Sequence, residues 1–115
     1  MRNSKIGDIR LKTNLAPIQN ALSGLESVHG YEHRLDTEKI HDYNDYYGLV
    51  SQELETEFPH LIKENFNIKN DTIQYKTIDH NQLIAVMVEA INQLNNKIID
   101  IQKEIKKDKK RSRKF

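Results

Sequence analysis

DHNQLIAVMVEAINQLNNKIIDIQKEIKKDKK, residues 79–110, decides how this chain is read. The stretch holds neither proline nor glycine and is rich in helix formers, so it predicts one long helix from about residue 80. Asp79, just ahead of it, is placed to cap the first backbone N–H groups and to favour the positive end of the dipole. Ile84, Met87, Ile91, Leu94, Ile98, Ile101 and Ile105 follow one another at intervals of 3, 4, 3, 4, 3 and 4 residues. That spacing keeps one apolar seam turned toward partner helices. The a sites are all isoleucine (Ile84, Ile91, Ile98, Ile105), and the d sites pass from Met87 and Leu94 to Ile101. Isoleucine at both positions favours three or more strands over two.

Working outward, Leu83, Val86, Val88 and Ala90 widen the apolar face at the start of the helix, which predicts that this part packs on a globular body. Beyond Asn95 only the narrow seam remains, over roughly 15 residues that would project ~22 Å from the packed turns. An intramolecular helical hairpin is the competing account, but the sequence offers no second helix of matching length. Self-association through the seam is the expectation.

The rest of the chain reads as short elements. Asp8-Ile9-Arg10-Leu11-Lys12 alternates polar and apolar residues and predicts an extended segment. Pro17 followed by Ile18, Ala21, Leu22 and Leu25 predicts a helix over 16–28, stopped by Gly30. Residues 31–35 and 46–50 read as strands, separated by a loop over 36–45. Ser51 is the expected cap of a short helix over 52–58 that ends before Pro59. Residues 61–63 read as extended, 65–71 as a turn, and Thr72–Lys76 as a further strand. The elements therefore read as α+β: a small antiparallel sheet of three or four strands with short helices, and a long C-terminal helix forming a coiled coil of three or more strands.

Composition narrows the function. The 115 residues suit one domain; 30% are charged, and the mean hydropathy is -0.78. No run approaches the roughly 18 apolar residues of a membrane span, and the first residues lack a signal peptide's apolar core. With no cysteine there is no disulfide, thiolate metal site or cysteine nucleophile. The net charge of +1 hides an asymmetry: residues 103–114 hold eight Lys or Arg against two Asp or Glu, so the remainder carries −5. That tail, residues 106–115, reads as a frayed, solvated helix end. A nucleic-acid role would rest on charge alone, because Phe115 is its one aromatic.

Other candidate sites are weak. His29 and His33 are four apart but separated by Gly30, and suit ordinary strand residues better than metal ligands. His41, Asp42 and Asp45 lack the spacing of a calcium loop. The glycines at 7, 24, 30 and 48 are isolated, so there is no phosphate-binding loop. Neither metal nor cofactor is expected.

Three ordered segments carry a family resemblance over residues 8 to about 105. Asp8-Ile9-Arg10-Leu11-Lys12-Thr13-Asn14, then Ala16-Pro17-Ile18, resembles the opening Ser-Asp-x-Arg-Leu-Lys-x-Asn-Ile of the peptidase S74 type of intramolecular chaperone domain. Gly48-Leu49-Val50-Ser51-Gln52-Glu53-Leu54 with Phe58-Pro59-His60-Leu61-Ile62 resembles its Gly-Leu-Ile-Ala-Gln-Glu-Val and Phe-Pro-Glu-Leu-Val stretches. Tyr75, Leu83-Ile84 and Glu89-Ala90-Ile91-Asn92-Gln93-Leu94 resemble its ending. Asp8, Arg10, Gly48, Gln52 and Glu53 are the motif residues.

The resemblance implies a domain at the C-terminus of a phage or viral fibre or tailspike that trimerises, aligns three chains as they fold, and then releases itself by cleavage before a serine that forms a dyad with a lysine five positions on. Those positions here are Gly7 and Lys12. Glycine has no hydroxyl, and a lysine base without a nucleophile cannot perform the step. Ser4 is the nearest hydroxyl upstream but lies eight residues before Lys12 rather than five.

The chain is thus expected to be a homotrimeric chaperone without self-cleavage, spanning residues 8–105 after a linker or remnant at 1–7. Its partner would be an upstream fibre or tailspike segment of the same polypeptide, and its setting a virion precursor assembled in host cytoplasm. The sequence fits either a fragment of a longer protein or a free-standing unit. An active self-cleaving peptidase and a basic coiled-coil nucleic-acid-binding module are the alternatives.

Overall fold

The structure, a computed structural model, describes residues 5–35, 40–68 and 72–113. A short 3-10 turn spans Ile9–Leu11. It is followed by α1 (Ala21–Gly24), β1 (Tyr31–His33), β2 (Tyr46–Gly48), α2 (Ser51–Glu55), a second 3-10 turn at Pro59–Leu61, β3 (Ile62–Asn67), β4 (Gln74–Ile78) and α3 (His80–Ser112).

The strands form two separate antiparallel pairs, β1 with β2 and β3 with β4, rather than one small sheet. Tyr31 faces Gly48 and His33 faces Tyr46 in the first; Ile62 faces Ile78 and Asn67 faces Gln74 in the second. A register shift between Glu64 and Phe66 admits an extra residue in the second pair, where Thr77 Oγ1 donates to Asn65 Oδ1 at 2.8 Å. β3 therefore continues through residues expected to turn.

Two more expectations fail for local reasons. Asp8 accepts the Arg10 backbone N–H at 2.9 Å, and this short loop winds residues 9–11 into a turn instead of a strand. Asn20 sits in the left-handed region at φ 56°, so the helix expected over 16–28 starts only at Ala21. It is also pinned by packing: a Cβ on Gly24 would lie 2.6 Å from Phe58 Cζ. Ser51 opens α2 without capping it, since Val50 is the N-cap and no side chain bonds there.

α3 starts where its cap was expected. Asp79 accepts from Gln82 N at 3.3 Å and from Gln82 Nε2 at 2.6 Å, while its own N–H donates to Leu61 O at 2.8 Å. The hydrogen bond from Gln82 leads in holding the buried Asp79 carboxyl below the usual range. The helix runs unbroken to Ser112, through a segment expected to fray.

The core is small: Ala21, Leu54, Phe58, Leu61, Ile62, Leu83, Val86 and Ala90. α3 contributes Leu83, Val86 and Ala90, but Val88, expected to share this face, is 54% exposed. Past Ala90, the last core residue, the helix continues 22 residues to Ser112, about 33 Å at 1.5 Å per residue. The molecule is accordingly drawn out, 75 × 40 × 22 Å.

Candidate assembly surface and dyad position

Ile84, Met87, Ile91, Leu94, Ile98, Ile101 and Ile105 are all 46–63% exposed, on a face of α3 offset by one position from the face that meets the body. Seven large apolar side chains at heptad spacing thus stand about half in water along one face of α3.

Two polar clamps tie distant segments of the body together, one of them made by this helix. Gln93 Oε1 accepts from Leu22 N at 2.9 Å while its Nε2 donates to Ile18 O at 3.1 Å, so one side chain holds both ends of the segment leading into α1. Sequence reasoning missed this role, because the partners lie 71 and 75 residues away and are backbone groups. Glu53 is the second clamp: Oε1 accepts from His29 N at 3.0 Å and Oε2 from Tyr31 Oη at 2.6 Å, joining α2 to the start of β1. The motif acid is thus a structural tie. Gly48 lies in β2 under the His33 ring, where a Cβ would approach Cε1 to 2.7 Å. Gln52 is exposed.

The Tyr31 hydroxyl, and next the His29 N–H, hold the Glu53 carboxyl below its usual range, and Glu53 in turn pushes the Tyr31 phenol up. A depressed carboxylate stabilises fully above its unfolded pKa, and the contribution is lost as pH falls through the folded one. The α2–β1 junction should therefore loosen on the acid side of the ordinary carboxylate range. In an NMR titration the Glu53 side chain should show a midpoint below that of a free glutamate, and Glu53→Gln should abolish the linked shift of the Tyr31 ring. A midpoint at or above the free value would contradict the clamp.

Gly7, which the resemblance sets at the serine position, has nothing within 4 Å of where a Cβ would stand, so there is room there for a side chain. Arg10 is held by Asp8 through Nε–Oδ1 at 3.1 Å and Nη2–Oδ2 at 2.7 Å. Lys12 follows this turn, exposed, with its N–H donating to Ile9 O at 3.1 Å. Arg10 pairs with Asp8, while Glu53 is engaged by Tyr31. Ser4 lies outside the described residues.

The remaining candidates are used internally. Asp42 accepts from the Tyr46 hydroxyl and from Asn44 N, Asp45 pairs with Arg34, and the His33 ring lies 5.9 Å from that of Tyr46. Among the described residues no group of three or more His, Cys, Asp or Glu is placed to hold a metal, and no helix is long and apolar enough to cross a membrane.

Comparison with known proteins fits this arrangement. Residues 7–63 match the model of the peptidase S74 family, described as a chaperone of endosialidase. The long tail fiber protein Gp37 of Enterobacteria phage K3 is 29% identical over 107 residues, covering 85% of this chain and 8% of that protein. The Gp37 proteins of Enterobacteria phage T2 and Salmonella phage S16 are also 29% identical, over 107 and 104 residues; the matches cover 85% and 86% of this chain but only 7% and 13% of theirs. The chain thus spans a small part of the length of the fibre proteins it resembles, and over residues 7–63 it is similar to the peptidase S74 family of chaperone domains.

Proposed function

We propose that this chain is the C-terminal chaperone and trimerisation domain of a phage or viral fibre protein, and that it works without cutting itself free. The observation that carries the reading is the half-exposed seam on α3, in a chain similar to this family and to tail fibre proteins. Three copies zipped through Ile84–Ile105 would hold three upstream fibre segments side by side while they fold, in a particle precursor inside the host cell. Isoleucine at both a and d toward the end of the seam, at Ile98, Ile101 and Ile105, supports three or more strands. In solution the chain should sediment at three times its 13.5 kDa mass, and a monomeric mass would overturn the assembly reading.

Loss of cleavage rests on Gly7, since acyl transfer to a side-chain oxygen needs a hydroxyl at that atom. The polypeptide carrying its upstream fibre segment should remain a single band after assembly. A fragment whose N-terminus is Gly7 would refute this. Gly7→Ser, for which there is space, tests whether Lys12 still retains the other half of the dyad.

A further inference from the structure

We propose that the end of α3, from Lys103 to Arg113, docks the phosphate backbone of a nucleic acid, and that it does so on the assembled protein rather than on single copies; the second clause rests on the assembly reading above. The segment holds seven cations, Lys103, Lys106, Lys107, Lys109, Lys110, Arg111 and Arg113, against Glu104 and Asp108, a net +5 within eleven residues. All of them lie on the unsupported, exposed stretch of α3. Among the described residues none of these cations pairs with a carboxylate, so their counter-charge must come from solution.

The unbroken helix fixes where these charges point. At about 100° per residue with Ile105 at zero, Ile98 and Ile101 fall near 20° and −40°, on the seam. The seven cations fall between about 40° and 240°, while Glu104 and Asp108 sit together near 260° and 300°. Closing the seam therefore leaves most of the cations facing outward, and three copies gather a net +15 at one end of a rod. A multivalent cationic surface of this kind binds a linear polyanion by releasing its condensed counterions, and the gain grows with the number of phosphates met at once. That is why assembly should strengthen it.

The same geometry favours a phosphate chain over a lipid surface. Between Lys103 and Arg113 the one large apolar residue is Ile105, which belongs to the seam. A helix lying on a bilayer needs an apolar face to bury, and none is left once the seam is closed. The segment has no aromatic side chain to stack on bases, so recognition should be indifferent to sequence and should accept a duplex.

The test uses the whole chain and a fluorescent duplex of about 20 base pairs of arbitrary sequence, read by anisotropy, with affinity expected to fall roughly a thousandfold between 50 and 200 mM salt. Lys106→Gln, Lys107→Gln, Lys110→Gln and Arg113→Gln together keep good helix formers on the outer face, so the solution mass should be unchanged while binding weakens at least tenfold. Binding equal to that of the unaltered chain would overturn the proposal. So would binding to phosphatidylglycerol vesicles with none to the duplex, which would assign the helix end to a lipid surface. Ile98→Asp with Ile101→Asp should also weaken duplex binding at least tenfold, and equal binding by these single copies would remove the link to assembly. A native chain that sediments as a monomer overturns the assembly reading instead, and the glutamine comparison then decides the helix end on its own.

Discussion

Ile98→Asp combined with Ile101→Asp should convert the assembled protein into single copies that keep a folded body. Both residues lie past Ala90, the last residue α3 gives to the core, and both are about half exposed in the isolated chain, at 46% and 58%. Aspartate there costs the body nothing that packing can register. In the assembly the same change places six carboxylates along a closed apolar seam. Each isoleucine loses roughly 1 kcal/mol of remaining burial, and each unpaired charge adds several kcal/mol of desolvation. Sedimentation should show a fall to the 13.5 kDa mass. Circular dichroism should show some loss of helix, because a projecting rod without partners has little beyond propensity to hold it. An unchanged mass would mean that the seam is not the contact.

Leu54→Ala should be severely damaging to the body. Leu54 and Leu61 are fully buried, and Leu54 stands in a core that counts eight residues among those described. Removing it costs about 2–5 kcal/mol, depending on how far the site can collapse. Against the roughly 5–15 kcal/mol that small domains have in total, this is enough to unfold the body in much of the population. The denaturation midpoint should fall steeply. Leu54→Met, which nearly conserves volume, should cost less than about 1.5 kcal/mol. A small loss in the alanine variant would mean that the contacts around α2 are not what holds the body together.

What the sequence made legible was local. α3 and its Asp79 cap follow from an unbroken run of helix formers behind one acid, and the seam follows from counting intervals. Elsewhere two different structures share one pattern. Asp-Ile-Arg-Leu-Lys alternates as a strand does, yet no neighbouring strand receives it, and the Asp8 carboxylate bends it into a turn. Residues 63–67 hide a strand because the β3–β4 pair is exposed on both sides there, so no buried face imposes alternation. The site was legible only in its exposed half. Gly7, Lys12 and the seam are positions along the chain, whereas the Gln93 and Glu53 clamps exist only once distant segments have met. Motif spacing marked Glu53 as worth noting without revealing that it ties α2 to β1.

The Gln93 clamp and the packing of Ala21 against α3 also set a timetable. α1 leaves the ribosome 70-odd residues before its partner helix does, an interval of about 4–15 s at ordinary rates of synthesis. During that time Ile18, Ala21 and Leu22 lack the face of α3 they pack against, so the core cannot be completed early. The helix that completes the body is also the one that displays the seam. On the assembly proposed above, each chain would become competent to find its neighbours in the same event by which it folds, and a half-made chain would have nothing with which to recruit them.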